Sequence, residues 1–92
     1  MFEIKKGSGC FYIGESEENP LAEMTYVRSG RKVIIDHTYV PPEMGGQGVG
    51  KLLLKELVDM VRAEGKKIVP ACPYAKEQME KNKEYHDLIY KK

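Results

Sequence analysis

Between Val40 and Lys51 the sequence changes its period, and that change limits what the chain can fold into. Upstream, apolar residues alternate as they do in strands. Downstream, Leu53, Leu54, Leu57, Val58 and Val61 recur at three- and four-residue steps, as on one face of a helix. Between them stands Val40-Pro41-Pro42-Glu43-Met44-Gly45-Gly46-Gln47-Gly48-Val49-Gly50-Lys51, which holds four of the chain's nine glycines. A strand, a glycine-rich turn and a helix in that order offer bare amides to an anion, and the helix dipole adds to them.

Two common forms of this arrangement do not fit. The dinucleotide fingerprint follows the first strand of a parallel unit, whereas this turn follows four expected hairpin strands. A P-loop needs Ser or Thr after its lysine, and Lys51 is followed by Leu52. A general phosphate cradle remains, built from the amides of Gly46 to Lys51 with the Lys51 ammonium beside them. The plain alternative is a turn whose glycines only bend the chain.

The strands before the turn are legible from alternation and turn residues. Phe2 to Lys6 and Cys10 to Ile13 flank Gly7-Ser8-Gly9 as a hairpin. After a polar acidic loop, Leu21 to Arg28 and Lys32 to Val40 flank Ser29-Gly30. Strict alternation in the fourth strand puts Val33, Ile35, His37 and Tyr39 on one face and Ile34, Asp36, Thr38 and Val40 on the other. Apolar residues on both faces predict a central strand covered on both sides. A helix from Gly48 to Glu64 should end at Gly65, with Lys66 and Lys67 suiting its negative end. Lys67 to Ala71 reads as a fifth strand, parallel to the fourth through a right-handed crossover. Pro73 at a first helical position leaves Cys72 as N-cap of a helix to about Lys81. Asn82 is placed to cap a last short helix, Lys83 to Tyr90. The expected fold is α+β: a mixed sheet of about five strands with helices on both faces, in one domain over residues 1–92.

Composition narrows the function classes. The chain has 92 residues and a net charge of +1, which gives no global attraction to nucleic acid or to an acidic membrane. No apolar run is long enough to span a bilayer, and the first residues lack a signal-peptide core. The two cysteines, Cys10 and Cys72, are expected as free thiols in a reducing cytoplasm. Cys10 reads as a core residue of its strand. Cysteines and histidines are too scattered for a recognisable metal site. Cys72 stands apart, because a thiol at a helix N-cap is held below its ordinary pKa and becomes a better nucleophile. The bland reading of Cys72 is a small buried hydrophobe.

The glycine turn resembles motif A of the GCN5-related N-acetyltransferases, Gln/Arg-x-x-Gly-x-Gly/Ala after a strand ending in Val-x-Pro. With His37-Thr38-Tyr39-Val40 before it and Val69-Pro70-Ala71-Cys72-Pro73-Tyr74 after it, the chain is similar to the small, single-domain YjdJ-type branch of that superfamily. The resemblance runs from Leu21 to Ile89. It implies an acetyl-CoA-dependent N-acetyltransferase acting on a primary amine of a small molecule or protein. The alternative is a module that binds CoA without efficient transfer. Tyr39 and Val40 would face the pantetheine arm, and Gly45, Gly46, Gln47, Gly48, Val49, Gly50 and Lys51 the pyrophosphate. One position departs: the family's first Arg/Gln falls on Gly45.

The resemblance also places Cys72 beside the CoA thiol, where it could take the acetyl group first. It places His37 where many members carry a carboxylate base, and neutral imidazole can take a proton near neutral pH. The bland reading of His37 is a hydrogen-bonded structural histidine. Asn82 and Tyr85 are looser candidates, with Tyr85 standing for a tyrosine that reprotonates the thiolate. His86 is expected at the surface. The acceptor site is expected to be open or completed by a partner, and the protein to be a monomer or weak homodimer.

Overall fold

A computed structural model describes residues 3–45 and 48–90. Five strands form one sheet in sequence order: β1 (Lys5–Lys6), β2 (Cys10–Ile13), β3 (Ala22–Ser29), β4 (Lys32–Tyr39) and β5 (Lys67–Pro70). The first four pair antiparallel, and β4 and β5 pair parallel. The helices are α1 (Pro42–Gly45), α2 (Val49–Glu64) and α3 (Pro73–Lys81), followed by a 3-10 segment, η1 (Lys83–Leu88). The strand and helix series read from the sequence is therefore present, with ends shifted by one or two residues, except that the first strand is reduced to Lys5–Lys6, with Glu3 and Ile4 outside it, and the last helix is 3-10. Phe2, expected in the first strand, lies outside the described residues. The Val40–Lys51 stretch is not all turn, since Pro42 to Gly45 form a short helix.

The helix that follows the turn is set by its apolar stripe. Leu53, Leu54, Leu57, Val58 and Val61 are all buried. It ends as expected at Gly65, whose φ of 70° is left-handed. The amides of Gly65 and Lys66 close the last turn on the carbonyls of Arg62 and Val61.

The sheet has one covered face and one open face. Phe11, Ile13, Ala22, Met24, Tyr26, Val33, Ile35 and Ile68 join buried side chains of both α2 and α3 in one core cluster. The two helices lie side by side on that face, since Leu54 and Lys55 of α2 and Gln78 of α3 line a common cleft. Opposite, Val27, Ile34 and Val69 form a cross-strand row by register. Val27 is 53% exposed, and Ile34 and Val69 are half-buried. The mixed five-stranded α+β sheet is as expected, but among the described residues the main helices lie on one face, so the expected helices on both faces and the double coverage of β4 are corrected.

The strict alternation expected in β4 also fails, at one residue. Tyr26 pairs with Ile35 and Thr25 with His37, so Asp36 is an extra residue, a β-bulge. The Thr25 hydroxyl donates to the Asp36 carboxylate at 2.5 Å across the irregularity. Beyond the bulge the faces exchange. Thr38 pairs with Met24 and turns to the core side, and Val40 packs against the core. His37 and Tyr39, in register with Thr25 and Glu23, are on the open side.

Candidate active site

The bulge coincides with the end of β4–β5 pairing. The parallel register runs from Lys32↔Lys67 to Ile35↔Pro70, closed by the Cys72 amide donating to the Ile35 carbonyl at 2.9 Å. From Asp36 to Tyr39, β4 has only β3 as a sheet partner among the described residues. The ladder to β5 stops there, at a place between the end of β4 and the start of α3 that we call the notch. Backbone groups on a free strand edge need partners, and an extended ligand can supply them.

The start of α2 stands at the same end of the sheet. Its first intrahelical bond runs from the Leu52 amide to the Gly48 carbonyl at 3.1 Å. The amides of Val49, Gly50 and Lys51 therefore have no carbonyl within the helix to bond, and they suit an anion. Lys51 is exposed beside them. Gly46 and Gln47, the other residues expected in the cradle, lie outside the described residues. Gly50 is glycine for a packing reason: a Cβ there would collide with the hydroxyl and ring of Tyr74. That contact holds the first turns of α2 and α3 together.

Cys72 sits at the N-cap of α3, as read from the sequence, and is 7% exposed. Burial opposes its ionisation. The Thr38 hydroxyl, 3.4 Å from Sγ, and the amides of Ala75, Tyr74 and Thr38 outweigh that penalty, and the thiol is held below its ordinary pKa. The sulfur makes no capping hydrogen bond of ordinary length, so these amides act as oriented dipoles. Cys10 contrasts with it. Burial, then Glu17 and Glu23, push its thiol up. Cys10 is buried as expected, but outside the core cluster, against the Glu17 carboxylate.

Thr38 and Tyr74 are what sequence reading missed around Cys72. The signal for Thr38 was the polar run Asp36-His37-Thr38 inside an apolar strand, which marks a bulge only once the register is known. His37 is exposed on the open face, across β4 from the side that carries Thr38 and Cys72. The structure brings Cys72, Thr38, Tyr74 and the start of α2 together, and leaves His37 on the other side of the notch.

The remaining candidates lie farther along the helices. Tyr85, half-buried, lines a cleft of about 230 Å³ with Asn82, Gln78, Lys51 and Lys55. Burial and then Glu84 push its hydroxyl above the ordinary pKa. Its electrostatic neighbours are Glu84, Lys55, Asp59 and Arg62, and Cys72 is not among them. Asn82 precedes η1 but does not cap it, because its side-chain amide donates back to the Gln78 carbonyl at 2.7 Å. His86 is exposed, as expected. Among the described residues no group of three or more His, Cys, Asp or Glu is placed to hold a metal, and no helix is long and apolar enough to cross a membrane.

The model of the GCN5-related N-acetyl-transferase family matches residues 10–88. The chain belongs to that family. The match runs from β2 to η1 and so takes in four of the five strands, the notch and both main helices. The NMR solution structure of a GCN5-like candidate N-acetyltransferase from Staphylococcus aureus is similar at 47% identity and a TM-score of 0.83. That likeness covers 97% of this chain and 88% of the other. No curated protein matches. Acetyl transfer from acetyl-CoA is the general chemistry of the family, and the resemblance first carried by the glycine turn is borne out at the family level.

Proposed function

We propose that this chain transfers the acetyl group of acetyl-CoA to a primary amine, with the thioester held in the β4–β5 notch. The carrying observation is the coincidence of three features at one end of the sheet: the end of the β4–β5 ladder, the first amides of α2, which have no carbonyl within the helix to bond, and the lowered-pKa thiol of Cys72. They fit the co-substrate in order. The amides of Gly48 to Lys51 and the Lys51 ammonium take the pyrophosphate, with Gly45, Gly46 and Gln47 leading into them. The β4 edge at Tyr39 and Val40 pairs with the pantetheine amides, which leads the thioester toward Cys72.

Two routes reach the product. In one, the amine loses its proton to His37 and attacks the acetyl carbonyl directly, the thioester C–S bond breaks, and CoA leaves as its thiolate. In the other, the Cys72 thiolate attacks first, CoA leaves as its thiolate, and the amine then takes the acetyl group from Cys72. Thr38 favours the second route, since its hydroxyl can donate to the thiolate. CoA release with a panel of primary amines tests the activity. Release should be amine-dependent, and its absence with every amine despite CoA binding would leave only a CoA-binding module. Cys72→Ala separates the routes: loss of at least tenfold in turnover with CoA affinity retained supports the thiolate, and unchanged turnover eliminates it.

A further inference from the structure

The open sheet face carries a row of side chains outside the core cluster, and the proposed notch uses only the backbone of one of them, Tyr39. By register, Tyr12 of β2 pairs with Glu23 of β3, and Glu23 pairs with Tyr39 of β4. The three residues stand side by side across the sheet, a carboxylate between two tyrosines, and Lys5 of β1 follows in the same row beyond Tyr12 without an ion pair to Glu23. Directly paired residues on one face have Cβ atoms roughly 5 Å apart. Tyr39 is 47% exposed, and Tyr12 and Glu23 are half-buried. Glu23 has no ion pair or hydrogen bond among the described residues. Two other carboxylates at this end are occupied, Asp36 by the Thr25 hydroxyl and Glu17 by the Ser8 amide and the Cys10 thiol. His37 belongs to the neighbouring row, opposite Thr25.

A carboxylate flanked by aromatic faces is complementary to an alkylammonium ion, through charge and cation–π attraction together. The same sheet already shows the second interaction, with the Lys32 ammonium 4.9 Å from the ring centre of Tyr90. Position then fixes what the ammonium can be. Glu23 is on β3, and the notch lies beyond the far edge of β4. Strands are about 4.8 Å apart, so a cation at Glu23 is between one and two strand spacings from the reacting position, roughly 5–10 Å. A nitrogen held by Glu23 is therefore not the nitrogen that reacts.

We infer that the acceptor is a dicationic alkyl amine, with one ammonium held by the Tyr12–Glu23–Tyr39 row and the other nitrogen delivered to the notch beside His37. This rests on the transferase reading for the reacting end, while the row itself stands on the register and exposure of its three residues. No helix among the described residues covers this face.

The test compares 1,5-diaminopentane with 1-aminopentane, on the whole protein and on Glu23→Gln. Titrated into the labelled protein, the diamine should shift the amide signals of Tyr12, Glu23 and Tyr39 and bind at least fivefold more tightly than the monoamine. Glu23→Gln should abolish that preference while CoA affinity is retained. In CoA-release assays the diamine should show the lower KM in the native protein, with the advantage lost in Glu23→Gln and kcat little changed. Equal binding of the two amines, no binding of either, or a preference that survives Glu23→Gln overturns the inference. If no amine releases CoA, the transferase reading fails, and the binding titration still decides the row on its own.

Discussion

At the residue scale, the chemistry turns on a few atoms around Cys72. Thr38 and the first amides of α3 favour its thiolate against the cost of burial, whereas Cys10 is pushed the other way. Alkylation by iodoacetamide followed against pH should therefore label Cys72 first, with a midpoint below that of an ordinary thiol. Thr38→Val should move the midpoint upward, and an unmoved midpoint would remove the hydroxyl from the account. Gly50 gives a second prediction. Alanine gains about 1 kcal/mol of helix propensity, but the new Cβ meets Tyr74, and overpacking costs about 1–3 kcal/mol. Gly50→Ala should be net destabilising by about 1 kcal/mol, measured by urea unfolding, and should weaken CoA binding because the two helix starts are forced apart.

At the scale of elements, the bulge in β4 decides which side chains share a face. Asp36 as an extra residue rotates Thr38 toward Cys72 and His37 away from it. The fourth strand was legible from its apolar residues, but its faces were not, because alternation carries no mark of an inserted residue. What identifies the insertion is the register against β3 and the Thr25–Asp36 bond. Thr25→Val removes that donor and should cost about 1 kcal/mol. It should also weaken CoA binding, since the bulge lies where β4 parts from β5. Full stability together with native CoA affinity in Thr25→Val would show that the bulge is held by the strands alone. The α2 helix is the opposite case. Its stripe, its start after the glycines and its end at Gly65 were readable, because helix period and capping chemistry are local.

At the scale of the whole molecule, one ion pair ties the helical layer to the sheet. Arg28 of β3 forms a two-pronged contact with Glu64 at the end of α2, with Nη2 at 2.7 Å and Nε at 3.2 Å. Arg28, and secondarily Lys66, hold the Glu64 carboxyl down to about 2. Its folded pKa lies below the unfolded one, so the contribution is complete above the ordinary carboxylate range. It is lost as pH falls through that range towards about 2. Arg28→Met should flatten the dependence of unfolding free energy on pH between about 5 and 2, and an unchanged slope would show that solvent already screens the pair.

The sequence by itself determined the order of strands and helices, the helix termini, the thiol at the N-cap and the family, because each rests on residues near one another in the chain. Only the tertiary structure decided that both helices share one face, that β4 parts from β5 at the bulge, and that Tyr12, Glu23 and Tyr39 stand in a row. These depend on register and on crossover side, which are settled by contacts between distant segments and leave no periodic trace in any one of them.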